Sequence, residues 1–234
     1  MSKLTNIRAI SFDGDGTLWD FLKVMRYSLN HVLSELARLD PPAATMLDID
    51  KMVEIRNKVA AEMKGKMTNL EAIRLEAFRR TLEEIGRPND DLALHFNDIY
   101  LKHRFDDIEL YPDVLPALET FRHRYTLGLI SNGNSYPERC GLDGVFRFVV
   151  FAQDHGVEKP DPEIYRIALQ QAGCSPEQLL HVGDSLQNDV AGAVGAAGTG
   201  IRCVWLNRNR MNNDTGVIPD YEIESLQELH RILE

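Results

Sequence analysis

The pattern of apolar and polar residues divides the chain into three stretches. The first is a short apolar run, Ile7–Phe12, which is typical of a buried strand and is followed directly by a dense group of carboxylates. In the second, from about residue 20 to about residue 107, apolar residues recur every three or four positions, which predicts helices. After Tyr111-Pro112, strand-like apolar runs again alternate with helix-like segments.

The middle stretch predicts four amphipathic helices and contains no strand-like pattern. The first helix ends where Pro41-Pro42 interrupts the repeat. The third opens with Thr68-x-x-Glu71, a capping-box pattern in which each side chain can bond a free backbone N–H of the first turn. It ends near Gly86. The expected helices cover about residues 20–40, 48–63, 68–86 and 91–102.

Alternating strands and helices of the lengths found here imply right-handed crossovers and a parallel sheet that is covered by helices on both faces. The sequence therefore predicts an α/β fold, with a Rossmann-like parallel sheet as the core and an inserted all-α domain of four helices. We expect residues 1–19 and 108–234 to form the core and residues 20–107 to form the helical domain. The strand candidates are Thr126–Ile130, Phe148–Phe151, Leu179–Val182 and Ile201–Leu206, and the helix candidates are Val114–Arg122, Pro162–Ala172 and Asn188–Ala196.

Composition and charge narrow the classes of function. The 234 residues are 44% hydrophobic, which is enough for a buried core. The formal charge of −10 disfavours binding to a nucleic-acid backbone, which depends on Lys and Arg. Apolar runs stay shorter than the roughly 18 residues that cross a bilayer, and residues 1–6 lack the pattern of a signal peptide, so we expect a cytoplasmic protein. The cysteines form no C-x-x-C pair and are expected to be reduced thiols in the core: Cys140, Cys174 and Cys203.

Two acidic groups each follow an apolar strand candidate. Asp13 and Asp15 come directly after the first strand, and Asp184 and Asp189 follow the strand that ends at Val182. Neighbouring carboxylates repel each other, so this arrangement favours a bound cation or proton. Mg²⁺ prefers oxygen ligands and needs one or two protein carboxylates. The alternatives are an ordinary turn at the first group and a helix cap at the second.

Two further groups have the chemistry of an anion site. Ser131 and Asn132 precede a glycine in the loop after Thr126–Ile130, where a hydroxyl and exposed backbone donors can hold a phosphate oxygen. Lys159 precedes a proline and carries a compact charge that suits a phosphoryl oxygen. Taken singly, each has an ordinary alternative, a common loop for the first and a solvated lysine for the second.

The four polar groups are expected to meet. Each of them lies after a separate strand or its connection, and ligand sites of parallel sheets lie outside the carboxyl ends of the strands. Acidic groups that hold a metal, together with a hydroxyl and an ammonium that hold an anion, are the equipment that phosphoryl transfer requires. The spacing along the chain therefore predicts one site that is built from four loops.

In this order, the four groups resemble the four motifs of the haloacid dehalogenase superfamily of phosphatases and mutases, and the resemblance covers the whole chain. The helical stretch from about residue 20 to 107 resembles the cap domain that one branch of this family inserts after the first motif. The matching segments are Phe12–Leu18 for the first motif, Ser131 for the second, Lys159-Pro160 for the third, and Gly183-Asp184 with Asp189 for the fourth.

The resemblance implies a role for each matched residue. Asp13 would attack phosphorus and form an aspartyl-phosphate. Asp15 would protonate the leaving oxygen and then accept a proton from the hydrolytic water. Ser131, Asn132 and Lys159 would bind the phosphoryl oxygens.

The resemblance also implies Mg²⁺ as the cofactor. Asp13, Asp184 and the backbone carbonyl of Asp15 would hold the ion, and Asp189 would contribute to the metal site from the outer shell. The ion would reduce the repulsion between an anionic nucleophile and an anionic substrate.

We therefore expect a magnesium-dependent phosphatase whose partner is a small phosphorylated metabolite, with neither nucleic acid nor membrane as a partner, acting as a monomer or weak homodimer. A phosphomutase stays open, because both reactions share their first half. A haloacid dehalogenase is disfavoured by Asp15, since members that cleave carbon–halogen bonds generally lack this acid. A binding module without catalysis has no need of the nucleophile Asp13.

Some residues carry no functional prediction. Trp19 is expected to pack or to line the mouth of the site. Residues 207–210 are expected to form a solvated loop, with a position near the rim of the site as the alternative, because they follow the last strand. The histidines of the helical stretches show no convincing ligand geometry for zinc: His31, His95, His103 and His123.

Overall fold

A computed structural model describes residues 3–195 and 200–233 of the chain. The chain divides into two compact units. One contains the residues up to Asp20 and those from Leu110 onward, and the other is Phe21–Glu109. We call them the core unit and the helical unit.

The helical unit contains the four predicted helices and one short additional helix. The additional helix follows the first one directly, because Pro41 suits the first position of a helix and the Asp40 side chain accepts a hydrogen bond from the Ala43 N–H at 3.1 Å. The proline pair therefore ends one helix and begins another. The helices are α1 (Phe21–Leu39), α2 (Pro41–Ala44), α3 (Ile49–Met63), α4 (Leu70–Glu84) and α5 (Asp90–Asp106).

The N-terminal cap of α4 differs from the prediction. Asn69, not Thr68, is the capping residue, and its side chain accepts hydrogen bonds from the N–H groups of Glu71 and Ala72, both at 3.0 Å. The predicted capping box over Thr68 and Glu71 was therefore wrong. An Asn side chain is at least as good a cap as Thr, so two neighbouring candidates competed for one position.

The described part of the core unit contains a six-stranded sheet in which all neighbouring strands are parallel. The predicted α/β class is confirmed. β1 lies at the centre, between β2 and β4, and all four of its residues are buried, as expected for a strand that is covered on both faces. The strands are β1 (Ala9–Phe12), β2 (Thr126–Ser131), β3 (Phe148–Phe151), β4 (Leu179–Gly183), β5 (Arg202–Leu206) and β6 (Tyr221–Ile223), in the order β3-β2-β1-β4-β5-β6.

The edge strand β6 was not predicted. It has only three residues, and its middle residue, Glu222, is exposed, so it lacks the apolar run that marks the other strands. Short edge strands with charged side chains are common in natural sheets.

Helices connect the strands of the core unit. The predicted helix Pro162–Ala172 is found with the same bounds. The predicted helix Asn188–Ala196 begins earlier, at Leu186, and has the wide turns of a π-helix; Ala196 lies outside the described residues. The helices are α6 (Val114–Phe121), α7 (Ala152–His155), α8 (Pro162–Ala172), the π-type helix Leu186–Gly195 and α9 (Leu229–Ile232), with single 3₁₀ turns at Pro137–Arg139, Pro176–Gln178 and Leu226–Glu228.

None of the helices in the described residues combines the length and the apolar character that are needed to cross a membrane.

The cap of α4 gives a direct test of the helical unit. Replacing Asn69 by Ala removes the side-chain oxygen that satisfies two backbone donors. We expect the free energy of unfolding to fall by about 1 kcal/mol, measured by urea denaturation followed by far-UV circular dichroism. The matched control is Thr68→Ala, which should change it by less than about 0.5 kcal/mol. A larger effect at Thr68 than at Asn69 would contradict the observed cap.

Candidate active site

A buried ammonium lies at the centre of the candidate site. The Lys159 Nζ atom donates to Asp13 Oδ1 and to Asp189 Oδ1, each at 2.6 Å, and to the Ile130 carbonyl at 2.9 Å. The residue is only 2% exposed. All three ammonium hydrogens therefore have acceptors, and the side chain joins the end of β2 to the segments that follow β1 and β4.

The Asp189 carboxylate is fully buried and is bonded at both oxygens. Its Oδ1 also lies 3.1 Å from His181 Nε2, and its Oδ2 accepts from the Ser185 N–H at 2.9 Å. A carboxylate only accepts, so His181 donates from Nε2, and its Nδ1 accepts from Ser11 Oγ at 2.9 Å. This buried chain of hydrogen bonds fixes Asp189 as a partner of Lys159.

Electrostatics keep this pair charged. Burial lowers the pKa of Lys159, but the Asp13 and Asp189 carboxylates outweigh it and raise the pKa above its usual value. Burial raises the pKa of Asp189, but Lys159 and His181 outweigh it and leave that pKa below its usual value. Burial lowers the pKa of His181, which is therefore neutral at pH 7.

The pKa values of Asp13 and Asp184 shift upward, in the opposite direction to the pKa of Asp189. Burial and the Asp189 charge raise the pKa of Asp184 to about 6. Burial also raises the pKa of Asp13, and the Asp189 and Asp184 charges add to it, against the opposing effect of Lys159. Asp184 has fewer donors than Asp189, with Thr17 Oγ1 at 3.3 Å from its Oδ1.

These carboxylates fit a divalent cation. Asp13, Asp184 and Asp189 each offer one oxygen, and these oxygens lie within 4.8 Å of one another. Among the described residues, Lys159 is the one cation that forms ion pairs with them, so the cluster is short of positive charge. Because both Asp189 oxygens already accept hydrogen bonds, Asp13 and Asp184 are the better ligands. An all-oxygen set of two carboxylates is what Mg²⁺ takes, with water in its other positions.

Asp15 is held by Trp19, for which the sequence left open either packing or a place at the mouth of the site. Trp19 is fully buried, and its indole N–H donates to Asp15 Oδ1 at 2.6 Å. Ser135 Oγ lies 3.5 Å from the same oxygen. A Cβ atom at Gly133 would lie 2.7 Å from Asp15 Oδ2, so this carboxyl group lies against the loop after β2. Trp19 thus positions Asp15. The only hint of this contact in the sequence is that Trp19 lies four residues after Asp15.

The end of β2 and the loop after it contain two of the three residues that were predicted to bind phosphate. Ser131 is buried at the end of β2, and its Oγ accepts from the Gly133 N–H at 3.0 Å, which leaves its own hydrogen for another acceptor. The Asn132 side chain is paired with the Lys159 backbone, accepting from its N–H at 2.7 Å and donating to its carbonyl at 2.9 Å. Asn132 therefore positions Lys159, and its contact with an anion stays a prediction.

Two glycines allow the carboxylates to approach the backbone. Gly16 has φ +85°, where other residues are strained, and a Cβ there would collide with the Asp184 carboxylate. A Cβ at Gly183 would collide with Asp189. The motif loops thus need glycine both for conformation and for space.

Arg208 is part of the support of the site, although residues 207–210 were expected to be solvated. Its guanidinium donates to the Thr17 carbonyl and to Asp113 Oδ2, both at 2.9 Å, and lies 4.2 Å from the centroid of the Tyr111 ring. The solvated-loop prediction was wrong for Arg208 and for the buried Asn207, and the alternative of a position near the site agrees with the contacts of Arg208. Arg208 holds the loop that contains Thr17, and the Thr17 hydroxyl bonds Asp184. The contact between Arg208 and Thr17 joins distant segments of the chain and therefore leaves no pattern in the sequence.

The fold and these residues have clear relatives. The family model of haloacid dehalogenase-like hydrolases matches residues 7–197. The glyceraldehyde 3-phosphate phosphatase of Methanopyrus kandleri is 28% identical over 235 residues, which cover 95% of both chains.

Two solved structures are also similar. The 2-haloacid dehalogenase of Pseudomonas syringae pv. tomato has a TM-score of 0.79 at 30% identity, with 97% of both chains covered. The putative HAD-hydrolase YfnB of Bacillus subtilis, solved bound to magnesium, has a TM-score of 0.76 at 25% identity, covering 98% of this chain and all of the other.

The support by Arg208 can be tested by removing its charge. In Arg208→Met the ion pair with Asp113, the hydrogen bond to Thr17 and the stacking on Tyr111 are lost, while Asp113 keeps its bond from the Ser225 hydroxyl at 2.8 Å. We expect the free energy of unfolding to fall by about 2–3 kcal/mol, measured by chemical denaturation.

The matched control lies in the same loop. Arg210 pairs with Glu224 at 2.7 Å, but its side chain is 77% exposed. Arg210→Met should therefore cost less than about 1 kcal/mol. Equal losses in the two variants would show that Arg208 has no special structural role.

Proposed function

The chain belongs to the haloacid dehalogenase-like hydrolases, and from this we propose that it is a magnesium-dependent phosphatase that hydrolyses a small phosphomonoester through an aspartyl-phosphate on Asp13. The observation that carries the proposal is the contact of 2.6 Å between the Lys159 ammonium and the Asp13 carboxylate, beside the acidic oxygens of Asp184 and Asp189. An oriented carboxylate beside fixed positive charge is suited to attack an anionic phosphoryl group.

In the first half-reaction, an Asp13 carboxylate oxygen forms a bond to phosphorus. The bond between phosphorus and the ester oxygen breaks, and Asp15 gives its proton to that oxygen, so that an alcohol leaves. Asp13 Oδ1 is bonded to Lys159, and among the described residues no donor bonds Oδ2. Oδ2 is therefore the oxygen that is available for the attack or for the metal.

In the second half-reaction, a water molecule attacks the phosphorus of the aspartyl-phosphate. Asp15, now ionised, takes a proton from that water, the bond from phosphorus to Asp13 breaks, and inorganic phosphate leaves. One carboxyl group serves both half-reactions, which requires that it stay in place between them. The hydrogen bond of 2.6 Å from the buried Trp19 supports this role.

The phosphoryl oxygens are held by groups at the end of β2. The Ser131 hydroxyl has a hydrogen to donate, and Lys159 supplies positive charge beside the nucleophile. The three hydrogens of the Lys159 ammonium already have acceptors, so a phosphoryl oxygen bonds the ammonium directly only by replacing one of these acceptors. The Ile130 carbonyl is the easiest to replace, because it is neutral whereas the other two are carboxylates. Asn132 acts by fixing the Lys159 backbone.

Mg²⁺ is the cofactor that this donor set fits. Asp13 and Asp184 would hold it, with Asp189 retained as the anionic partner of Lys159. When bound, the ion supplies the positive charge that lets an anionic carboxylate approach an anionic substrate. The magnesium-bound structure of the related YfnB supports this choice.

A haloacid dehalogenase is the second candidate, because the similar Pseudomonas syringae protein is a 2-haloacid dehalogenase. That reaction expels a halide, which needs no proton, whereas a phosphomonoester expels an alkoxide, which does. Asp15, which is held by its bond from Trp19, provides a proton donor that ester hydrolysis uses and dehalogenation does not. The phosphatases among the relatives, such as that of Methanopyrus kandleri, agree with the phosphatase proposal.

The role of Asp13 is tested by Asp13→Asn, which keeps the shape of the side chain but removes the nucleophilic charge. We expect the turnover rate for a phosphomonoester that the wild-type protein hydrolyses to fall on the order of a thousandfold or more. Circular dichroism should show that the fold is retained. Asp143→Asn makes the same chemical change at an exposed position and should leave the rate unchanged. Substantial activity of the Asp13→Asn variant would remove Asp13 from the proposed mechanism.

The reaction type and the metal are tested together with a panel of phosphorylated metabolites and 2-chloropropionate. We expect phosphate release from at least one ester, which requires added Mg²⁺ and stops with a chelator, and no chloride release. Phosphorus NMR separates free phosphate from an isomerised sugar phosphate, the product of a mutase. Chloride release without phosphate release would overturn the phosphatase proposal in favour of the dehalogenase.

A further inference from the structure

A second group of possible metal ligands lies in the helical unit. His31 of α1 and His103 of α5 have parallel rings, with centroids 3.4 Å apart and an angle of 4° between the planes. Asp107, at the C-terminal end of α5, has its Oδ2 2.7 Å from His103 Nδ1. One ligand atom from each of the three side chains lies within 4.8 Å of the others. The sequence showed no convincing zinc geometry for these histidines, because α1 and α5 are far apart in the chain.

The His103 imidazole is prepared to act as a ligand. Asp107 only accepts, so His103 donates from Nδ1, and the lone pair of a neutral ring is then on Nε2. Carboxylates hold metal-binding histidines in the same way in known sites.

The spacing of the rings also suits a shared ion. Two nitrogens that bind one tetrahedral ion at about 2.0–2.1 Å lie roughly 3.4 Å from each other, and the candidate ligand atoms here lie within 4.8 Å of one another. Parallel rings do not aim their lone pairs at one point, so the His31 ring has to turn about its Cβ–Cγ bond while Asp107 holds His103 in place. That torsion is broad in histidine, and His31 is partly exposed, which leaves room for the turn.

The charges around the rings partly oppose each other. The Asp107 carboxylate attracts a cation, whereas the nearby Lys102 ammonium repels one, and both act on His31. Tyr27 packs its ring edge-on against His31 at 4.8 Å and against His103 at 6.4 Å, and shields one side of the pair. Mixed nitrogen and oxygen ligands favour a transition metal over Mg²⁺, which prefers an all-oxygen set.

We propose that His31, His103 and Asp107 form a binding site for a divalent transition-metal ion, with Zn²⁺ the best match to the ligands. The two histidines bind the ion directly, Asp107 orients His103 and supplies negative charge, and water completes the coordination. The ion links α1 to α5 and stabilises the helical unit. The site is made of residues other than the carboxylates proposed to hold Mg²⁺.

The test is a titration of the full chain with Zn²⁺, followed by calorimetry, in excess Mg²⁺ so that the carboxylate cluster is saturated. The informative variant is His31→Phe, which keeps an aromatic ring against Tyr27 and His103 but removes the nitrogen ligand. Its matched control is His95→Phe, since His95 also joins α5 to α1, through Glu35 at 2.8 Å, without a second histidine. Thermal denaturation of each protein is recorded with and without Zn²⁺.

We expect one Zn²⁺ to bind to the wild-type chain and to the His95→Phe variant, and to raise the melting temperature of both. The affinity should fall at least about tenfold in His31→Phe and in Asp107→Asn, which removes charge but keeps an acceptor. With Co²⁺ as the probe, visible absorption of a nitrogen-ligated ion should appear only where His31 is present. Equal Zn²⁺ affinity in the wild type and in His31→Phe, or no Zn²⁺ binding in excess Mg²⁺, would overturn the proposal.

Discussion

The Lys159 ammonium lies between the Asp13 and Asp189 carboxylates, 2.6 Å from each, in a place that water hardly reaches. Removing such ions from water costs several kcal/mol per ion, so these pairs are not an obvious source of stability. Removing one partner, however, would leave an uncompensated charge in the interior. The ends of β1 and β4 are therefore fixed relative to Lys159, and this fixed charge is what phosphoryl transfer requires of a protein.

Asp184 and Asp189 illustrate how one segment of chain produces two different acids. Both follow β4, but Asp189 receives bonds from Lys159, His181 and the Ser185 N–H, which keep it ionised. Asp184 is buried near that charge with one weak side-chain donor, and its pKa rises to about 6. Asp189 is thus a permanent partner of the ammonium, whereas Asp184 gains most from a cation. The sequence shows two aspartates in one motif, and only the three-dimensional contacts distinguish their roles.

The predictable features of this protein are those that local patterns determine. Apolar runs marked β1 to β5, because strands of a covered parallel sheet are apolar throughout, and the polar residues after them meet because parallel strands end at one edge. The exposed β6 has no such pattern, and the cap of α4 was misplaced by one residue, since Thr68 and Asn69 are both good caps. Arg208 supports the site through contacts with Thr17 and Asp113, which lie far away in the chain and leave no periodic signal. Trp19 bonds Asp15 four residues away, but a single spacing of this kind does not distinguish a bond from packing.

The relatives of this chain include a phosphatase and a 2-haloacid dehalogenase, so membership of the family does not by itself decide which bond is broken. The deciding group is the one that can protonate the leaving atom. An alkoxide needs a proton at the moment it departs, and a proton donor helps only if it is held within reach. Here a fully buried tryptophan bonds Asp15 at 2.6 Å, and Gly133 leaves the space that the Asp15 carboxyl group occupies. A halide would make no use of this support, whereas an ester oxygen depends on it, and the surroundings of Asp15 therefore favour phosphate ester hydrolysis over dehalogenation.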